Sequence, residues 1–273
     1  MTKIGFIGAG NMACSLIGGL LQAGHPADDI RASDPAPPEQ AKALGVEIIN
    51  DNAAMAQWAD VLVLAVKPQV LQSICAQIAA HITHDHVLVI SIAAGIKSDS
   101  ITGWLGTPTA CIRVMPNTPA LLGLGMSGMY ANEQSTTQDI QTATTIMQTV
   151  GKVIRFPEES MIDIVTAMSG SGPAYFFLMI EAMIKSGTSQ GLSGEQARML
   201  AAQTASGAAA MAMQSDSSIE ELRRRVTSPG GTTERAIQTL IDGGFIELVD
   251  DAIRAAANRS VELSEELAGD NNG

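Results

Sequence analysis

The opening stretch of this chain constrains its fold more than any other. Ile4-Gly5-Phe6-Ile7 is a short apolar run that passes without a spacer into Gly8-Ala9-Gly10-Asn11-Met12-Ala13, and then into the helical spacing of Leu16, Ile17, Leu20 and Leu21. A strand, a G-x-G-x-x-A turn and a helix in that order suit a dinucleotide. Gly8 permits the tight turn, Gly10 lets the backbone approach a pyrophosphate, and Ala13 allows the helix to pack closely on the strand. The helix start supplies N–H groups and positive dipole to the phosphates. A glycine-rich turn in an ordinary α/β core would read the same way, so the rest of the chain has to support the motif.

From Lys3 to about Phe156, short β-branched runs alternate with amphipathic stretches, the pattern of βαβ units around a parallel sheet. The expected strands are Ile4–Ile7, Ile30–Ser33, Val46–Ile49, Val61–Val66, Val87–Ile92 and Ala110–Val114, with Met126–Tyr130 and Lys152–Phe156 extending the sheet. Most are nearly continuously apolar, as strands covered on both faces must be. After Pro157 the β-branched runs give way to Ala, Met and Leu at helical spacing. The fold class is therefore α/β: a Rossmann-type, mostly parallel sheet domain over residues 1–160, followed by an all-helical domain over 161–273.

Gly172-Pro173 opens the first helix expected there, and Ser193 with Gln196 makes a capping box for the next. That second helix carries Ala201, Ala202, Ala205, Ala208, Ala209 and Ala212. Such small side chains bury little area in one chain, and interlocking with a second copy would repair the deficit. A last amphipathic helix is expected from Phe245 to Leu267, with Glu262, Glu265 and Glu266 on its wet side, before a polar tail at Gly269 to Gly273.

The formal net charge of −12 argues against general attraction to nucleic acid or anionic lipid and favours a small-molecule ligand. Cys14, Cys75 and Cys111 are scattered, without metal-ligand spacing, and read as buried free thiols. No metal is expected. The glycines at Gly5, Gly8 and Gly10 interrupt any export signal, and the apolar stretch from Ala174 to Ile184 is too short to span a bilayer. A cytoplasmic protein is the expectation.

Further candidates fall at the carboxyl ends of the strands, where doubly wound sheets bind ligands. Asp34 ends the second strand about twenty residues after the glycine turn, where a carboxylate accepts hydrogen bonds from an adenosine ribose. That favours NADH. An exposed turn aspartate before Pro35 is the alternative, and Arg31 and Ser33 are near enough in sequence to serve a 2′-phosphate. Val66-Lys67-Pro68 and Ala93-Ala94-Gly95 end the fourth and fifth strands. Met115-Pro116-Asn117-Thr118-Pro119 makes a rigid loop after the sixth. In the helical domain, Ser228-Pro229-Gly230-Gly231-Thr232-Thr233 precedes a helix; its N–H groups and hydroxyls suit a carboxylate ligand, or simply cap the helix.

Taken with Ala65-Val66-Lys67-Pro68-Gln69 and Ser169-Gly170-Ser171-Gly172-Pro173-Ala174-Tyr175, these motifs resemble the pyrroline-5-carboxylate reductase family over essentially the whole chain. The resemblance implies an NADP- or NAD-dependent imine reductase forming L-proline, with helical domains interlocked in a homo-oligomer and active sites shared between subunits. Its cofactor positions fall on Gly8, Ala9, Gly10, Asn11, Met12, Asp34, Asn52, Val66, Lys67 and Ala94, and its substrate positions on Glu159, Gly231, Thr232 and Thr233. Some relatives have serine in place of Asp34 and asparagine in place of Arg225, which leaves the NADH or NADPH choice open.

The chemistry suits these residues. A protonated iminium needs a hydride and no strong acid from the protein, and none of His25, His81, His84 and His86 lies in a motif that would make it a base. The Thr233 hydroxyl is expected to bond the ring nitrogen, with the Gly231 and Thr232 N–H groups on the carboxylate and Glu159 organising nearby water. A 3-hydroxyacid dehydrogenase would need a lysine shortly after Gly170-Ser171-Gly172. Phe176 stands there instead, and Lys185 is more than two turns away. A silent nucleotide-binding regulator would not require the Ser228–Thr233 segment.

Overall fold

The structure is a computed structural model, and it describes residues 2–82 and 87–269. His84, His86 and the end of the expected polar tail, residues 270–273, lie outside the described residues. By their contacts the residues form two compact units, one running to Ser171 and resuming at Ala255, the other Gly172–Arg254.

The first unit is built on an eight-stranded sheet. In chain order its elements are β1 (Ile4–Ile7), α1 (Asn11–Gln22), β2 (Ile30–Ser33), α2 (Glu39–Lys42), β3 (Glu47–Ile49), α3 (Asn52–Trp58), β4 (Val61–Leu64), α4 (Pro68–Ile78), β5 (Leu88–Ser91), α5 (Ser98–Leu105), β6 (Ala110–Met115), β7 (Gly125–Ala131), α6 (Thr137–Gln148), β8 (Gly151–Arg155) and α7 (Met161–Val165). The strand order is β3-β2-β1-β4-β5-β6-β7-β8. Only the β6–β7 pair is antiparallel, so the expected mostly parallel sheet with two added strands is what forms. The central strands β1, β4 and β5 are buried along their whole length because helices cover both faces. One core cluster holds Phe6, Leu16, Ile17 and Ile90, and a second holds Ile7, Leu62, Leu71 and Val89.

Six of the eight strands differ from expectation by one or two residues at an end; at the ligand edge β6 runs on to Met115, while β4 and β5 stop short. β4 stops at Leu64 rather than Val66. Ala65 still donates to Ile7 O, but Lys67 is already the cap of α4 and Pro68, at the first helical turn, has no N–H for a ladder. β5 stops at Ser91, leaving Ile92 to Lys97 as its connection to α5.

The second unit contains α8 (Gly172–Ser189), α9 (Gly194–Gln214), α10 (Ile219–Arg225), α11 (Thr232–Asp242) and the first part of α12 (Phe245–Gly269). The capping box at Ser193 and Gln196 forms in both directions, at 3.2 and 2.9 Å. α8 packs along α9, yet across Gly172–Arg254 only Gly172, Ala197 and Ala201 are buried. Phe176, Phe177, Leu178 and Met199 are all about two-thirds exposed, between 65% and 69%. Helices this bare carry no core of their own.

The contacts divide the chain later than the change in residue character does. α7 packs on β6 and β7, and its Asp163 is bonded to Ser260 in the distal part of α12. The helical pattern therefore starts before the sheet unit has ended, and the end of α12 packs with that unit.

Candidate functional site

The glycine turn follows β1 as the motif requires. Gly8 has φ +97°, and a Cβ on it would stand 2.6 Å from the Ala65 carbonyl oxygen, so no other residue fits. A Cβ on Gly10, by contrast, would meet nothing within 4 Å. Gly10 caps α1 without a side-chain bond, so the first-turn N–H groups stay uncapped beside open space. A pyrophosphate fits that cradle, and the residues at this edge suit a dinucleotide.

Asp34 is part of the turn. Its Oδ2 accepts the Ala9 N–H at 2.9 Å and its Oδ1 accepts the Ala36 N–H at 2.8 Å. It is both a turn aspartate and a group at the ligand edge, and the spare lone pairs of its oxygens remain for a ribose. Arg31 is spoken for elsewhere: it pairs with Glu47 at 2.7 Å and lies over the Trp58 ring at 4.3 Å. Ser33 is buried and donates to Asn52 Oδ1 at 2.7 Å.

The remaining edge positions line up through the sheet. Gly8 N donates to Ser33 O, Ala65 N to Ile7 O and Ile92 N to Leu64 O, which brings the ends of β2, β1, β4 and β5 side by side. Gly8 to Met12, Asp34, Asn52, Val66, Lys67 and Ala94 thus share one edge. Lys67 is exposed there, and Asn52 bridges Ser33 to Gln77 of α4.

Glu159 sits in the same unit and is strongly held. Its Oε1 accepts Ser98 N at 2.6 Å, its Oε2 accepts Ser98 Oγ at 2.9 Å, and Arg113 Nη1 lies 3.5 Å from Oε1. It therefore caps α5, whose Lys97 cap position offers no side-chain bond. Its side chain keeps 18% exposure. Burial first, then Glu159, Asp99 and Glu133, push the Tyr130 phenol up.

Asn117 joins two of the motifs. It donates to Ser169 O at 3.0 Å and accepts Met126 N at 2.8 Å, tying the loop after β6 to the Ser169-Gly170-Ser171 turn. A Cβ on Gly170 in that turn would meet only the flexible end of the Met115 side chain.

In the helical unit, Gly230, Gly231, Glu234, Arg235 and Gln238 line a concavity of about 380 Å³ at the start of α11. The expected donors are partly used up here. Gly231 N donates to Ser228 O at 3.0 Å, and Gly230 N to Glu234 Oε2 at 2.7 Å. The Ser-Pro-Gly-Gly turn closes on itself, so the Gly231 N–H is not available to a carboxylate as expected. The N–H groups of Thr232 and Thr233 open α11 and have no partner among the described residues. Thr232 is exposed and Thr233 half-buried.

The sequence reading missed Arg113, Asp163, Ser98 and Ser260. Arg113 had a visible signal: it is the one charge in the apolar strand Ala110–Met115, and a charge placed there needs a partner. The three free cysteines are buried as expected. Among the described residues no group of His, Cys, Asp and Glu is arranged to hold a metal, and no helix is long and apolar enough to cross a membrane.

Comparison with known proteins bears on both units. The family model for pyrroline-5-carboxylate reductase dimerisation matches residues 159–263, and that for NADP oxidoreductase, coenzyme F420-dependent, matches residues 3–95. A curated pyrroline-5-carboxylate reductase from Pseudomonas aeruginosa is 50% identical, over 97% of this chain and 98% of its own. A solved pyrroline-5-carboxylate reductase from Coxiella burnetii superposes with a TM-score of 0.91 at 40% identity, covering 96% of this chain and 98% of its own. The Plasmodium falciparum pyrroline carboxylate reductase with NADP bound gives 0.86 at 30% identity, over the same shares.

Proposed function

The chain belongs to the pyrroline-5-carboxylate reductase family, and from that premise we propose that its active site joins the glycine edge of one subunit to the start of α11 in a partner. The enzyme reduces 1-pyrroline-5-carboxylate to L-proline, the final step of proline biosynthesis, and NAD(P)H supplies the hydride when bound. Gly8, Ala9, Gly10, Asn11 and Met12 hold the pyrophosphate, Asp34 and Asn52 take the adenosine side, and Val66, Lys67 and Ala94 flank the nicotinamide side. Asp34 turns the preference toward NADH.

At the substrate end, the Thr232 and Thr233 N–H groups and the Thr232 hydroxyl hold the carboxylate at the amino end of α11. The Thr233 hydroxyl orients the ring nitrogen by accepting its N–H, and the half-buried Thr233 side chain limits water there. Gly231 acts through its turn and Glu159 organises water from its place beside α5. Residues 161–273 serve dimerisation and substrate binding, although the stretch to Ser171 and the end of α12 pack with the sheet unit. Cytoplasmic location and indifference to nucleic acid go with free buried thiols and a net charge of −12.

The observation that carries the shared site is the near absence of burial across Gly172–Arg254. Hybrid oligomers test it. Thr233→Ala should be slowed about tenfold to a hundredfold and Gly8→Val should be nearly inactive, and co-assembly of the two variants should raise activity above both parents, because half of the shared sites in each mixed dimer carry neither lesion. Hybrids as inactive as their parents would place the whole site within one chain.

A further inference from the structure

We propose that Arg113 is a positioning residue for the cofactor side of this reaction, acting as the charge on which the supports of the Ala94 loop converge. This rests on the reading of Ala94 as a cofactor position. Arg113 stands in β6 and is 1% exposed, the largest fully buried side chain among the described residues. Its Nη1 lies 3.5 Å from Glu159 Oε1 and its Nη2 3.4 Å from Asp163 Oδ1.

Each carboxylate is held a second time by an element that reaches the same loop. Glu159 grips Ser98, the first residue of α5, through both N–H and hydroxyl. α5 begins just beyond Ala93-Ala94-Gly95, so Glu159 fixes the outgoing end of that connection. Asp163 Oδ1 accepts Ser260 Oγ at 2.8 Å, which anchors the distal part of α12. Further along α12, Leu263 and Leu267 close over Gly95, with atoms 3.6 and 3.7 Å from where its Cβ would stand. The loop is therefore held from α5 and from α12, and both holds end on Arg113.

The contacts at Arg113 are long, and its Nε and Nη1 make no geometric hydrogen bond. Charge, more than bond geometry, keeps the two carboxylates together. Without the cation, two carboxylates of like charge with little access to water would push apart. The α5 and α12 supports would then shift, and cofactor binding would have to re-order the Ala94 loop they hold, at a cost in affinity.

The test uses the full-length enzyme and variants Arg113→Met, Arg113→Lys and Ser98→Ala. NADH affinity is read by fluorescence titration without imine, alongside thermal melts and turnover at saturating cofactor. Arg113→Met should weaken NADH binding about tenfold to a hundredfold, as the fraction of molecules with the Ala94 loop in place falls by that factor. Arg113→Lys, which keeps the charge, should recover most of the affinity. Ser98→Ala, which removes one of two bonds to Glu159, should weaken binding a few-fold. An Arg113→Met protein that melts early yet binds NADH like the parent would make the role purely structural and overturn the proposal, as would a lysine variant no better than methionine. If Arg113→Met does not fold, parent-like binding by Ser98→Ala overturns it. Failure of the family reading would show separately, as a parent enzyme that oxidises neither cofactor with pyrroline-5-carboxylate.

Discussion

The Asp34 carboxylate braces the glycine turn from the end of β2 by accepting the Ala9 N–H at 2.9 Å. The residue that would choose between cofactors thus also shapes the turn that binds them. A serine at this position could keep one acceptor for Ala9 while removing the negative charge.

Asp34→Ser should raise the kcat/KM ratio of NADPH over NADH, because a carboxylate at the ribose repels a 2′-phosphate. Both values should fall somewhat, since the brace on Ala9 weakens. Steady-state kinetics with the two cofactors side by side measure this. An unchanged ratio would mean that Asp34 serves the turn alone.

Thr233→Ala should lose roughly 1.5–3 kcal/mol of transition-state stabilisation, about tenfold to a hundredfold in rate, if the nitrogen it orients is charged. Thr233→Ser should keep most activity, and NADH affinity should be the same in all three proteins. A thermal melt separates this from the simpler role of helix start: an alanine variant that merely melts early would return Thr233 to structure.

The full-length chain should sediment as a dimer or larger at every concentration where it stays active. Phe177 and Leu178 are 65% and 67% exposed in the single chain, so replacing both by aspartate should shift the protein toward monomers and abolish turnover together. A fully active monomer would contradict the shared site.

Burial pushes the Cys75 thiol up to about 12 from an ordinary value near 9. The folded state therefore keeps a proton that the unfolded state releases, so this contribution to stability is complete below pH about 9 and is lost as pH rises toward about 12. Denaturant melts at pH about 8 and about 10 should show the decline, and Cys75→Ala should flatten it. The Cys111 thiol is raised by burial in the same direction, so some slope should remain. An equal slope in Cys75→Ala and parent would show that Cys75 does not titrate across unfolding.

Much of this architecture was legible because local chemistry announced it. Ile4–Ile7 and Ile30–Ser33 form to the residue, since short runs bounded by turn residues leave little choice of where a strand begins and ends. The helical stripe of α12 was equally plain, but a stripe says that a helix face is buried and not what covers it, so the packing of Leu263 and Leu267 on Gly95 was hidden. The Arg113 cluster was hidden for the same reason. Ser98, Arg113, the Glu159–Asp163 stretch and Ser260 lie in four separate segments, and only the folded chain brings them together. At Ser228–Thr233 the residue types pointed to free N–H groups, whereas the turn uses its own: Gly231 N bonds Ser228 O.

The two borders of the sheet decide how copies of this protein can add to one another. β3 is three residues long, with Glu47 on it already paired to Arg31. β8 carries Lys152 and Arg155, both exposed, around Ile154. Short length at one border and paired cations at the other discourage strand addition from a neighbour. Strand addition is thus disfavoured at both borders, which leaves the exposed helices as the surface through which copies would join.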